Sequence, residues 1–173
     1  MSDAGAGDGA SQGAGTAPQG QAAPPQIQIL AQYVKDLSFE NPNAPQSLAA
    51  GGEAPRIEVS VDVGARAMGQ ERFEIELRIT AKAERGEARA FVAEVLYAGL
   101  FALRNIPEEA MRLVCLIECP RLIFPFARRI LADATRDGGF PPLLLEPIDF
   151  AALYRQQEAR AQAQAAQAPA QQV

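Results

Sequence analysis

Ala88-Arg-Ala-Phe-Val-Ala-Glu-Val-Leu-Tyr97 is the stretch on which the fold turns. Successive side chains of a strand point to opposite faces. Ala90, Val92, Glu94 and Leu96 therefore share one side, and Phe91, Ala93, Val95 and Tyr97 the other. Both sides are mainly apolar. An antiparallel sheet with helices on one face is ordinarily polar on the other. A strand that is apolar both ways predicts two covers: helices on one face and, most simply, another copy of the chain on the other.

Working outward, the preceding strands are plainer. Phe73, Ile75, Leu77 and Ile79 alternate with Glu74, Glu76, Arg78 and Thr80, and the run continues through Ala81 and Ala83 to the hairpin-type turn Glu84-Arg-Gly-Glu87. Ile57, Val59, Val61 and Val63 alternate with Glu58, Ser60 and Asp62. In Gln26 to Glu40 the odd positions are Ile27, Ile29, Ala31, Tyr33, Lys35, Leu37 and Phe39, and the even ones include Gln28, Gln32, Asp36, Ser38 and Glu40. That pattern predicts one unbroken alternation, ended by the turn residues Asn41-Pro-Asn-Ala-Pro45.

After Asn105 the period becomes helical. Pro107 suits a first helical position, with Met111, Val114, Cys115 and Glu118 on one stripe. Pro120 is expected to end that helix, and Pro125 to open another with Phe126, Ile130 and Ala134 at fourfold spacing. Asp137-Gly-Gly139 supplies a C-terminal stop. Phe140-Pro-Pro-Leu-Leu-Leu-Glu-Pro-Ile148 has neither period and reads as an extended apolar loop. Asp149 is placed to cap a last helix carrying Phe150, Leu153 and Tyr154. Four strands followed by helices define an α+β fold.

Composition bounds the rest. The 173 residues divide into an extension at 1–25, almost all Gly, Ala, Gln, Ser and Pro, a domain at 26–155, and an Ala/Gln-rich tail at 156–173. Such a composition leaves the extension disordered, although the tail could prolong a preceding helix. A net charge of −5 argues against nucleic acid, whose phosphates demand excess Lys and Arg. No apolar run approaches the roughly 20 residues needed to span a bilayer, so the chain is not membrane-embedded. No signal-type leader opens it, which points to the cytoplasm. With no histidine, the usual general base near neutral pH is missing. Cys115 and Cys119 read as buried thiols rather than a disulfide or a metal site.

Three ordered stretches carry a resemblance. They are Tyr33-Val-Lys-Asp-Leu-Ser-Phe-Glu-Asn-Pro-Asn-Ala-Pro45, Gly86-Glu-Ala-Arg-Ala-Phe-Val-Ala-Glu-Val95, and Cys119-Pro-Arg-Leu-Ile-Phe-Pro-Phe-Ala-Arg128 with Gly139-Phe-Pro-Pro-Leu-Leu-Leu-Glu-Pro-Ile-Asp-Phe150. Together they resemble the SecB family of protein-export chaperones from Gln26 to Arg155. The resemblance implies a four-stranded antiparallel sheet with two main helices packed on one face, assembled as a dimer of dimers that holds unfolded precursor polypeptides in apolar grooves and delivers them to the export ATPase SecA. It implies no enzyme activity, no cofactor, no metal and no catalytic residue. Carried over by position, Asp36, Glu40, Val92 and Glu94 form the SecA-binding surface. Ile57, Val59, Val61, Phe91 and Tyr154 line the client groove, and Ala93, Val95 and Tyr97 join dimers into tetramers. A SecB-like chaperone dedicated to one client, such as an antitoxin, is the alternative the resemblance leaves open.

Overall fold

The computed structural model describes residues 23–49 and 53–167. The sequence expectations for the extension before residue 23 and the end of the tail beyond 167 lie outside the described residues. Strands β1 (Gln26–Glu40), β2 (Arg56–Gly69), β3 (Arg72–Arg85) and β4 (Ala88–Arg104) form one antiparallel sheet in the order β1-β4-β3-β2. The strand apolar on both sides is thus a central one, and β1 and β2 are the edges. Gly86, at φ +60°, supplies the tight β3–β4 hairpin that the sequence announces. The β2–β3 hairpin bends through Gly69 (φ +79°) together with the non-glycine residues Gln70 (φ 52°) and Glu71 (φ 57°).

The register assigns the faces. Ala83, Ala81, Ile79, Leu77, Ile75 and Phe73 of β3 pair with Phe91, Ala93, Val95, Tyr97, Gly99 and Phe101 of β4, all on the helix side. On that side Ile75, Leu77, Ile79, Ala93, Val95 and Phe101 are fully buried. The opposite side carries Glu74, Glu76, Arg78, Thr80 and Lys82 of β3 beside Leu100, Ala98, Leu96, Glu94 and Val92 of β4.

β1 corrects the sequence reading. Its alternation is broken between Ile29 and Ala31 and again between Val34 and Asp36. Each bulge adds one residue and turns the following side chains over. Gln28, Tyr33, Asp36, Ser38 and Glu40, even and odd alike, therefore share the outer face, opposite Ala102, Ala98, Leu96, Glu94 and Val92.

The helices also depart from expectation. Pro107 precedes the helix as its cap residue, and α1 (Glu108–Leu113) passes through a π-helical turn (Val114–Glu118) into α2 (Cys119–Asp137) without a break. Pro120 does not end a helix. It falls in the first turn of α2, where its missing N–H is tolerated, and the wide π turn takes up its ring. Pro125 lies inside α2 on the solvent side, so the carbonyl it leaves unbonded can be hydrated. The buried stripe is Cys119, Ile123, Ala127, Leu131 and Thr135, not the one through Phe126, which is 43% exposed.

The end of α2 follows the sequence closely. Gly139 adopts φ +88°, and the N–H groups of Gly139 and Phe140 donate to the carbonyls of Arg136 and Thr135 at 3.0 and 3.1 Å. That is the paired bonding of a left-handed glycine stop. Asp149 caps α3 (Phe150–Gln167), its Oδ1 accepting from the Ala152 N–H at 2.9 Å. α3 crosses the expected boundary at 155 and leans on the π turn and α2 rather than on the sheet. Phe150 packs edge-on to Phe124 at 5.9 Å, and Arg112 covers the Tyr154 ring at 5.8 Å and pairs with Glu158.

Candidate functional site

Two surfaces meet the sequence expectations to different degrees. On the outer sheet face, β1 and β4 bring the four predicted docking residues together: Glu40 lies opposite Val92, Ser38 opposite Glu94, and Asp36 opposite Leu96. Asp36 and Glu40 are exposed, whereas Val92 and Glu94 are half-buried. Glu94 is not a free charge. Arg78 pairs with it, and the Thr80 hydroxyl donates to it at 2.9 Å.

Beside this row lies a cluster that sequence reading missed. Glu74 is 6% exposed, although it stands on the solvent side of the sheet. Its carboxylate accepts from the Tyr33 hydroxyl at 2.6 Å and from Lys35 Nζ at 3.3 Å, and pairs with Arg66. Lys35 also reaches Glu76 at 2.5 Å. The first bulge of β1 turns Tyr33 outward, and Ala98 of β4 is small enough to let it reach across to β3. The Tyr33 hydrogen bond above all, helped by Arg66 and Lys35 and opposed by burial, holds the Glu74 carboxyl at about 2. Unbroken alternation would place Tyr33 on the other face, so nothing in the sequence points to this contact.

The second surface is a groove along β2. Ile57 and Val59, on the helix side of this edge strand, are each 39% exposed, and Val61 and Val63 are half-buried behind them. α2 covers β3 and β4 but stops short of β2, which leaves the row open. At its far end a cavity of about 480 Å³ lies between β2 and the first helix, lined by apolar groups such as Phe73, Met111 and Leu116 and by the charged Glu108 and Arg112.

The other two predicted groove residues are placed differently. Phe91 is 2% exposed, stacked on Phe39 at 5.6 Å and tilted against Phe140 at 4.8 Å. It is core, because the apolar loop after α2 folds back over it. Tyr154 is half-buried on α3 under Arg112, apart from β2. The loop itself is pegged to α2: Thr135 Oγ1 accepts from the Leu143 N–H at 2.9 Å, and Arg128 donates to the Leu145 carbonyl at 3.2 Å. Leu144, between the pegs, is 77% exposed.

The residues expected at a tetramer interface lie inside the single chain's core. Ala93 and Val95 are fully buried and Tyr97 is 7% exposed, beneath α2 of the same chain. Tyr97 also donates to Gln32 Oε1 at 3.4 Å. The chain's own helices cover this face. Exposed apolar groups lie elsewhere, at Leu113, Leu122 and Phe126 on the helices and at Ile27, Leu30, Val34 and Leu37 along the β1 edge.

Cys115 and Cys119 are buried free thiols. Burial pushes them up to about 11 and 12 respectively, which makes both poor nucleophiles. No cluster of three or more His, Cys, Asp or Glu suited to a metal ion occurs among the described residues. No described helix is long and apolar enough to cross a membrane.

The described residues present an open apolar groove, an acidic sheet face and buried thiols. Comparison with known proteins gives the chain a family. The family model described as preprotein translocase subunit SecB matches residues 20–161. The chain is 60% identical over 136 residues to the protein-export protein SecB of Maricaulis maris, covering 79% of each chain. It is 56% identical over 161 residues to that of Parvibaculum lavamentivorans, covering 93% of this chain and 94% of the other. Among solved structures it is similar to a SecB-like chaperone of Mycobacterium tuberculosis in complex with a ChAD peptide from an antitoxin. That match has a TM-score of 0.58 and 16% identity, and covers 70% of this chain and 90% of the other. The protein belongs to the SecB family.

Proposed function

We propose that this chain is a holding chaperone of the cytoplasm that keeps unfolded precursor polypeptides competent for export and passes them to the ATPase SecA. The observation that carries the reading is the open row Ile57, Val59, Val61 and Val63 on an edge strand. An unfolded chain gains by burying its apolar side chains on that row. It can also pair its backbone with the free edge of β2, which is indifferent to sequence. A folded protein has already satisfied both needs. Nothing in this cycle requires a cofactor, a metal or a catalytic residue.

Delivery uses the outer face, where Asp36, Glu40, Val92 and Glu94 are clustered. The 51–60% identity to proteins named for export supports this route over a dedicated antitoxin client, since the antitoxin-bound neighbour speaks to the fold alone. Two copies can associate through the apolar β1 edge, and two such dimers through Leu122 and Phe126 of α2. The assembly is then a homotetramer of about 74 kDa, four times the 18.4 kDa chain.

Refolding of a slow-folding precursor with a stoichiometric amount of this protein tests the core of the proposal. Refolding should stall, and Val59→Asp should relieve the stall. Equal binding of folded and unfolded client would refute it. Asp36→Lys with Glu94→Lys should weaken SecA binding severalfold, more at low salt than at high, and leave client binding intact. In light scattering, Phe126→Asp should lower the mass from about 74 kDa toward half without unfolding the chain.

A further inference from the structure

Gly64 stands inside β2, and nothing in the fold requires a glycine there. Its backbone does not share the positive φ of Gly69, Gly86 and Gly139. The pairing with β3 runs through it without a bulge, Gly64 lying opposite Glu76. A methyl group added to it would meet only the Glu76 side chain, at 3.8 Å, which is ordinary contact. Glycine inside a strand weakens it. Where conformation, a bulge and internal packing give no reason for one, close approach by another molecule is the reason that is left.

The missing side chain leaves a hollow of about 210 Å³ on the outer sheet face, lined by Asp62, Gly64, Glu76, Arg78 and the half-buried Leu96. The charges around it are unevenly answered. Arg78 pairs with Glu94 of β4 rather than with Asp62, its cross-strand neighbour on β2. Glu76 is held by Lys35. Asp62 is exposed and has no cation within ion-pair distance among the described residues. The same holds for Asp36, at the other end of the row Asp36, Leu96, Arg78, Asp62 that crosses all four strands.

We propose that the hollow at Gly64 takes a basic side chain, lysine or arginine, of the partner that docks on the outer face, with its head on Asp62 and its aliphatic stem over Gly64 and Leu96. The inference rests on the reading of this face as a docking surface, and it carries that surface from β1 and β4 to the far edge strand β2. Neighbouring strands lie about 4.8 Å apart, so the row from Asp36 to Asp62 spans about 14 Å. A partner segment crossing the sheet meets an unanswered carboxylate at each end of it. Lysine and arginine suit the Asp62 end because each joins an apolar stem to a charged head.

The test measures binding of the full-length protein to SecA at low and high salt, with the stall of precursor refolding as the control. Gly64→Val fills the hollow without changing any charge, and valine is at home in a strand. It should weaken SecA binding about fivefold and leave the refolding stall and the unfolding midpoint intact. Asp62→Asn keeps the shape and removes the charge. It should weaken binding by about the same factor at low salt and by less at high salt, as for one solvated ion pair. Because both changes strike one incoming side chain, the double variant should lose much less than the two losses combined. Full additivity would overturn the shared subsite. A loss with Gly64→Val alone would overturn a basic occupant, and an equal loss of refolding stall and SecA binding would mean that the change disturbs the sheet instead. If neither variant weakens binding while Asp36→Lys with Glu94→Lys does, the subsite falls and the docking surface stands. If none of them does, both fall.

Discussion

The two faces of β4 carry apolar side chains in nearly equal measure, yet they are protected by different means. On one face Phe91, Ala93, Val95 and Phe101 disappear beneath α2 and the loop that follows it. On the other, Val92, Leu96 and Leu100 stay half-exposed between charged neighbours, with Leu96 lying between Asp36 of β1 and Arg78 of β3. A strand that is apolar on both sides need not be sandwiched. Here one face is closed by packing, and the other is left as a surface of ion pairs and half-covered hydrophobes, a suitable form for reversible docking.

The most severe way to break the comparison is to place a charge on the closed face. Val95→Arg would bury an unpaired guanidinium beneath α2 and should cost about 4 kcal/mol or more, enough to unfold most of the chain. Denaturant unfolding followed by circular dichroism checks it. A variant that stayed fully folded and merely lost half its assembled mass would show that Val95 faces a second copy after all.

How much of this was legible in the sequence follows from the same contrast. The core face was readable because period two survives intact in β3 and β4, where Phe73 to Ile79 and Phe91 to Tyr97 alternate without interruption. In β1 the period is intact only piecewise. Leu30 and Lys35 are the residues skipped in the pairing, and neither is a glycine or proline that would mark a bulge. The shared face of Asp36, Ser38 and Glu40 was legible since these residues follow the second bulge. The Tyr33–Glu74 contact was not, because it depends on the segment between the two bulges. Helix limits failed for a related reason: Pro120 and Pro125 signal breaks, but a π turn and a solvent-facing carbonyl absorb both.

On the outer face the largest effect should come from Glu74. Glu74→Gln leaves Lys35 and Arg66 poorly compensated and weakens the bond from Tyr33, for a loss of about 1–3 kcal/mol. The pH profile distinguishes this from a packing defect. The folded carboxyl, near 2, lies below its ordinary value of 4.5, so its contribution is complete above about 4.5 and fades as pH falls toward 2. Wild-type stability should drop across that window, and Glu74→Gln should drop less. Parallel profiles would show that Glu74 contributes nothing through its charge.

The smallest expected effect on folding is at Arg78, and it sharpens the comparison most. The Arg78 side chain is 44% exposed and that of Glu94 26%, so their pair is solvated and screened. An exposed pair of this kind contributes about 0–1 kcal/mol. Arg78→Gln should therefore leave the unfolding midpoint nearly unchanged, unlike any charge placed at Val95. It should instead act on docking. Glu94 would lose its internal counter-ion while Thr80 still fixes its orientation, which leaves a more negative surface beside Asp36 and Glu40. A basic partner surface should then associate faster at low salt, with the gain fading as salt is raised, because steering between exposed charges is screened within about 10 Å at 0.1 M. Association kinetics with SecA at two ionic strengths are the measurement. A salt-independent change would mean that Arg78 itself touches the partner, and a large loss of stability would move the Arg78–Glu94 pair from the docking surface into the structural framework of the sheet.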